Sequence, residues 1–294
     1  MRGAEVTILC GGFPPSPASA AFIPFFPFYN NVNLKLVLIC VCSLFEITAS
    51  GLLAPIAGGS QPLPEDFTIY GTCTFHRPSD NKIFLFANSK KAEYLQFELG
   101  VDANGTLTTT LVRSFKIGTG TQPEGCVVDD VNEVIFIGEE QVGIWKYGAN
   151  PTDAGTGSGI LVDSVDKTTG GNIDADVEGM ALVYGASKSE GYLIVSMQGV
   201  SAYNVYERKA PHKFVRRFSI AKGEEIDGVT NTDGVAAVGT GLGGAFGKGL
   251  LVVHDDANEK KEGGTDVNAS FKLVSLGDAL DGFAGVDYKW DPRK

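Results

Sequence analysis

The sequence predicts an all-β protein, a β-propeller of four-stranded antiparallel blades, and three observations carry that expectation. An acidic-Gly step recurs as Glu124-Gly125, Glu178-Gly179 and Asp233-Gly234, at intervals of 54 and 55 residues, and a variant, Tyr70-Gly71, lies 54 residues before the first. Each step opens a series of short runs rich in β-branched and aromatic residues, separated by turn residues. Few segments show the 3.6-residue apolar period of an amphipathic helix. Repeats of this length with three or four strands each read as blades, because one blade cannot bury its own faces. A sandwich is the competing all-β architecture, but it gives no reason for a constant period.

In chain order, residues 1–64 stand apart. They carry only Arg2, Glu5, Lys35 and Glu46 as charged side chains, and eight of the 13 prolines. The run from Phe22 to Phe28 alternates Phe and Pro in a way no regular helix tolerates. Leu36 to Phe45 has the length of a signal-peptide core, is short for a bilayer span, and sits late for a secretory signal. A displaced signal, translated non-coding sequence and a membrane anchor each account for this segment, and each leaves residues 1–64 irregular and outside the fold. The propeller domain is then 65–294.

Within that domain the runs follow in order. After Glu124 come 126–128, 134–137 and 143–147; after Glu178 come 180–184, 192–197, 202–206 and 214–220; after Asp233 come 235–238, 250–253 and 271–275. Asp129-Asp130, Ser187 to Gly191 and Lys209-Ala210-Pro211 supply turns between them. The domain has room for about four blades at this period. Gly239 to Gly244 matches GxGxxG, but no helix follows, so it reads as a loop between strands.

Charge and motifs narrow the chemistry. The chain has 294 residues, 43% hydrophobic, and a net charge of −11, all of it on residues 65–294. Such composition excludes a disordered chain and argues against nucleic acid, whose phosphates this surface repels. A polyanionic substrate remains possible if a cation stands between it and the protein. The five cysteines are odd in number and form no CxxC, which argues against a disulfide framework and a zinc site. Two sequons, at Asn104 and Asn268, permit secretion. No nucleophile elbow, HExxH or phosphatase signature occurs, and there are only three histidines.

What remains is acidic. Asp174, Asp176 and Glu178 alternate, so an extended chain projects them to one side. Equivalent positions of successive blades converge on a central channel, so Glu124, Glu178 and Asp233 meet there. Carboxylates brought together repel unless a cation or proton intervenes, and an all-oxygen donor set suits a hard ion such as Ca²⁺. Glu139-Glu140, Asp227, Asp255-Asp256 and Asn258 also end runs where channel-mouth loops begin.

Several segments together resemble the β-propeller phytases: Gln122-Pro123-Glu124-Gly125 with Asp129-Asp130; Gly138-Glu139-Glu140 with Gly143-Ile144-Trp145-Lys146; Asp176-Val177-Glu178-Gly179; Gln198-Gly199; Asp227-Gly228 with Asn231-Thr232-Asp233-Gly234; and Asp291-Pro292-Arg293-Lys294. The similarity runs from about Ile69 to the C-terminus. It implies a six-bladed, calcium-dependent enzyme that hydrolyses phytate, here with about four blades. It implies metal ligands at Glu124, Glu139, Asp176, Glu178, Asp227, Asp233 and Asn258, a catalytic role for Lys90, Glu124 and Glu178, and substrate contacts at Lys90, Lys91 and Gln198. Lys91 stands where the family often has an acid, and Phe75 where it has a substrate-contacting tyrosine. The family's first two blades, with their further ligands, Lys pair and Arg, have no counterpart beyond a faint echo at Asn30 to Asn33. A truncated, inactive propeller or binding module is therefore the alternative to an active enzyme. The resemblance further implies an extracellular monomer with no stable membrane partner.

Overall fold

The computed structural model describes residues 6–9, 41–48, 50, 52–187, 189–260, 263–266 and 268–282. The closing Asp291 to Lys294 motif and the Asn30 to Asn33 echo lie outside the described residues. The chain divides into two units, residues 1–70 with 100–109, and residues 71–99 with 110–294.

The first unit holds a three-stranded antiparallel sheet of β1 (Val6–Leu9), β2 (Val41–Ile47) and β3 (Leu53–Pro62). The expectation that residues 1–64 are irregular therefore fails over 41–62. Cys42 and Leu44 are buried, while β3 alternates exposed and half-buried positions, the period-2 pattern of a strand with one covered face. Gln61 fastens this unit: its amide donates to Leu107 O and its oxygen accepts from Thr109 Oγ1.

The remaining strands form propeller blades, each a meander whose sequence neighbours pair. Blade 1 is β4 (Ile69–Arg77), β5 (Lys82–Ser89), β6 (Glu93–Val101) and β7 (Leu107–Lys116). Blade 2 is β8 (Pro123–Asp129), β9 (Val134–Glu139), β10 (Gly143–Gly148) and β11 (Ile160–Ser164). Blade 3 is β12 (Val177–Tyr184), β13 (Gly191–Met197), β14 (Ala202–Glu207) and β15 (Phe214–Phe218). Blade 4 departs from the four-strand expectation. It pairs β16 (Val235–Val238), β17 (Leu250–Asp255) and β20 (Ser270–Ser275), while β18 (Asn258–Glu259) and β19 (Thr265–Asp266) make a separate short hairpin. The GxGxxG stretch lies, as expected, in the loop between β16 and β17, and contributes only a three-residue helical turn. No helix among the described residues is long and apolar enough to cross a membrane.

Second strands read as unbroken apolar runs because both faces are buried. In β9, Ile135 and Ile137 join Phe75, Phe84 and Phe86 of blade 1, while Phe136 between them joins Val177 and Leu193 of blade 3. In β13, Leu193 and Val195 face blade 2, and Ile194 packs with Leu251 and Val253 of blade 4. Phe75, at the position of the expected tyrosine, is core: it is fully buried and stacks on Phe84. Innermost strands β4, β8, β12 and β16 line a cavity of about 440 Å³, with Cys73, Val128, Leu182 and Ala237 on its wall.

One bridge, Cys73–Cys126, joins β4 to β8. The odd cysteine count argued against a disulfide framework; the pair forms because the two residues occupy nearly equivalent places in successive repeats, 53 residues apart.

Candidate metal centre

Glycines after the acidic residues bring the inner strands together. A Cβ on Gly71 would lie 2.5 Å from Glu124 O, one on Gly125 2.2 Å from Glu178 O, and one on Gly179 2.7 Å from Asp233 O. Each repeat thus rests its glycine on the backbone oxygen of the next repeat's acid. No larger residue permits that approach. Glu124 and Glu178 stand at the starts of β8 and β12, and Asp233 two residues before β16.

Three of them meet. Glu124, Glu140 and Glu178 each place a carboxylate oxygen within 4.8 Å of the others. Glu178 is buried, and its Oε2 has no hydrogen-bond partner. Burial, the facing Glu124 carboxylate, and Asp233 and Glu140 push the Glu178 carboxyl up to about 10. Glu140 is raised by burial, outweighing the Gln122 hydrogen bond, and by Glu124 and Asp176. Asp233 is raised by burial and by Glu124. Without a cation, Glu178 retains its proton at neutral pH; a divalent ion would replace that proton and supply the partner that Glu178 Oε2 lacks. An all-carboxylate donor set with no nearby Cys or His fits a hard cation.

The surroundings account for the other expected residues. Asp176 is half-buried beside the triad: Gln141 donates to its carboxylate, and its backbone oxygen accepts from Gln198 N. Gln198 is thereby placed at the same end of the channel. Lys90 and Lys91 are exposed just after β5, whose Asn88 donates to Glu124 O and accepts from Gly71 N.

Three expected ligands are not brought in. Glu139 is fully buried, and its carboxylate is taken up by Thr119, Thr121 and Trp145 Nε1. Burial works to raise its pKa, but the hydrogen bonds from Thr121 and Thr119 outweigh burial and hold it below the usual value. Glu140, the residue just after β9, takes the place in the triad that Glu139 was expected to hold. Asp227 is paired with Lys272 Nζ at 2.7 Å and accepts from Glu259 N, and these contacts depress its pKa. Asn258 spends its side chain within its own hairpin region, donating to Asn268 O and accepting from Ser270 Oγ. Asp174, which shares the alternation of Asp176 and Glu178, is engaged by Arg217 and by Lys167 at 3.2 Å.

The other end of the inner strands carries different chemistry. Arg208 and Asp129, both fully buried, form a two-pronged ion pair at 2.6 and 2.9 Å, and the guanidinium lies 4.4 Å from the centre of the Tyr184 ring. Asp129 also caps the turn after β8 by accepting from Val131 N and Asn132 N. The Asp129-Asp130 motif is thus structural at its first residue.

A family model described as Phytase matches residues 42–294. That match starts earlier than Ile69 and takes in nearly all of β2 and all of β3. A 3-phytase of Bacillus subtilis (strain 168) is 35% identical over 226 residues, which are 76% of this chain and 56% of that protein. The chain therefore spans about half of that relative's length. Among solved structures, the COPII outer coat vertex on membranes aligns with 85% of this chain and 57% of its own, at a TM-score of 0.49 and 11% identity. The C-terminal WD40 domain of Sif2 aligns with 64% of this chain and 46% of its own, at a TM-score of 0.35 and 11% identity.

Proposed function

The chain belongs to the phytase family, and from that premise we propose that it hydrolyses phosphomonoesters of phytate with Ca²⁺ held at the channel mouth. The observation that carries this reading is the triad of Glu124, Glu140 and Glu178, with an unpartnered oxygen on the most buried member. These three residues would hold the cation, with Asp176 and Asp233 contributing negative field around it. When bound, the cation supplies the positive charge that draws phosphate oxygens to an acidic face and acidifies a water for in-line attack.

This chain's own groups have separate tasks. The triad sets where the positive charge sits and keeps it in a partly dry site, where charge stabilisation is strongest. Lys90 donates to phosphoryl oxygens as charge builds on them, and Lys91 adds attraction from the same exposed turn. Gln198, tied through its N–H to Asp176, offers an amide to the substrate rim. No protein nucleophile is required, in keeping with the missing nucleophile motifs.

We read the protein as an extracellular monomer. The Cys73–Cys126 bridge suits an oxidising compartment, and the sequon residue Asn104 is exposed. A second reading is a cation-binding propeller without turnover, because the carboxylate triad accounts for ion binding without any hydrolytic step.

Purified protein mixed with phytate and Ca²⁺, with and without chelator, tests both. Chelator-sensitive phosphate release supports the enzyme. Calorimetric Ca²⁺ binding without release supports the binding module, and the absence of both signals overturns the metal centre.

A further inference from the structure

Glu139 is the most heavily hydrogen-bonded carboxylate near the site, yet it does not face the triad. Its Oε1 accepts from Thr121 N at 2.8 Å, Thr121 Oγ1 at 2.7 Å and Thr119 Oγ1 at 2.8 Å, while Trp145 Nε1 reaches Oε2 at 2.7 Å. These contacts fasten the segment that leads into β8. The next residue of that segment, Gln122, grips Glu140 twice: its backbone oxygen accepts from Glu140 N at 3.0 Å, and its side-chain amide donates to Glu140 Oε1.

The same arrangement recurs in blade 4. Asp255, fully buried at the end of β17, accepts from Thr230 N at 2.8 Å and Thr230 Oγ1 at 3.2 Å. Asp256 then donates its N–H to Thr230 O at 3.1 Å and accepts from Asn231 Nδ2 at 3.2 Å. In both blades a buried acid ties down a threonine, and a neighbouring amide side chain orients the acid that follows. The buried acid, the threonine and the amide side chain recur; in blade 4 the backbone acceptor is the threonine itself, and Lys272 Nζ also pairs with Asp255 at 2.6 Å.

We infer that Glu139 is a positioning residue: its buried carboxylate anchors the 119–122 segment so that Gln122 holds the Glu140 carboxylate against Glu124 and Glu178. Asp255 performs the same service for Asp256. Glu139 acts through Gln122 and touches neither cation nor substrate. A side-chain amide donating to Glu140 restricts its rotation, so that less rotamer entropy is lost in holding its carboxylate beside Glu124 and Glu178. The inference rests on the metal-centre reading for its consequence in binding, but its geometric content is independent of it.

The test uses the full chain. Wild type, Glu139→Gln, Gln122→Ala and the pair are titrated calorimetrically with Ca²⁺, and cation-free crystal structures of wild type and Glu139→Gln are compared. Each single change weakens Ca²⁺ binding about 10-fold, the scale of an outer partner of a metal ligand. Combining them weakens it less than about twofold further, because both remove one chain of contacts. In the variant crystal the Glu140 carboxylate has left Glu124 and Glu178. Multiplying effects in the pair, a folded variant with unchanged affinity, or an unmoved Glu140 each overturns the inference. Thr121→Val removes one exposed donor to Glu139, and its expected severalfold loss of affinity serves if Glu139→Gln does not fold. Should wild type bind no Ca²⁺, the metal centre fails while the crystal comparison alone decides the positioning role.

Discussion

At the residue scale, Glu178 concentrates the conflict that makes the site useful. A glutamate ionises near 4.5 in the unfolded chain and near about 10 in this fold, so the folded state is the better proton binder. The stabilisation this gives is full below about pH 4.5 and is lost as pH rises toward about 10. Cation-free wild type should therefore lose stability relative to Glu178→Gln as pH climbs, with the two converging in acid. Thermal melts of both proteins across that range check this, and parallel curves contradict it. Added Ca²⁺ should raise the melting temperature of wild type at neutral pH and leave Glu178→Gln nearly unmoved. The residue scale is also where sequence reading stops short. Glu124 and Glu178 are legible because the repeat puts them in phase. Glu139 and Glu140 are neighbours of one kind, and only the Thr119, Thr121 and Trp145 donors, brought from elsewhere in the fold, decide which acid is buried and which faces the channel. Asp227 and Asn258 were marked only by their place at run ends and by resemblance, and their partners Lys272 and Ser270 lie well along the chain.

At the element scale, strand spacing is set by main chain against main chain. Gly125→Ala would drive a methyl into Glu178 O, now 2.2 Å from the ideal Cβ position, and blades 2 and 3 must part to admit it. Overpacking of this kind costs about 1–3 kcal/mol. Equilibrium denaturation should show that loss, with Ca²⁺ affinity falling alongside because Glu124 and Glu178 separate; full affinity in a destabilised variant would uncouple spacing from binding. The bridge between β4 and β8 closes a loop of 53 residues, for which chain-entropy reasoning gives about 4 kcal/mol. Replacing Cys73 and Cys126 by serine should lower the melting temperature by several degrees, and treatment of wild type with a dithiol should reproduce the drop. An unchanged melt in both would assign the bridge no stabilising part. The cysteine count hid this pair, although the repeat period itself contains it: a separation of 53 is one blade. Blade strands were legible for a related reason, since runs such as Val134–Glu139 are buried on both faces and so stay apolar without interruption.

At the scale of the whole molecule, a chain of net charge −11 brings three of its glutamates close enough to share a cation. Divalent ions should therefore stabilise it beyond what general screening achieves. Melts in CaCl₂ and in NaCl of matched ionic strength separate the two effects, and equal shifts would mean no specific site. The N-terminal 64 residues misled by composition: sparse charge and clustered proline suggested an irregular leader, yet Val41–Ile47 and Leu53–Pro62 pair as strands. Blade spacing has one more consequence. Since a bare α-carbon against a carbonyl fixes the distance between neighbouring repeats, the side chain just before it is released from any architectural duty. Tyr70, Glu124, Glu178 and Asp233 show how freely that place varies from aromatic to acidic. The scaffold therefore lends itself to exchange of the groups at that place one blade at a time, without disturbing the spacing of its inner strands.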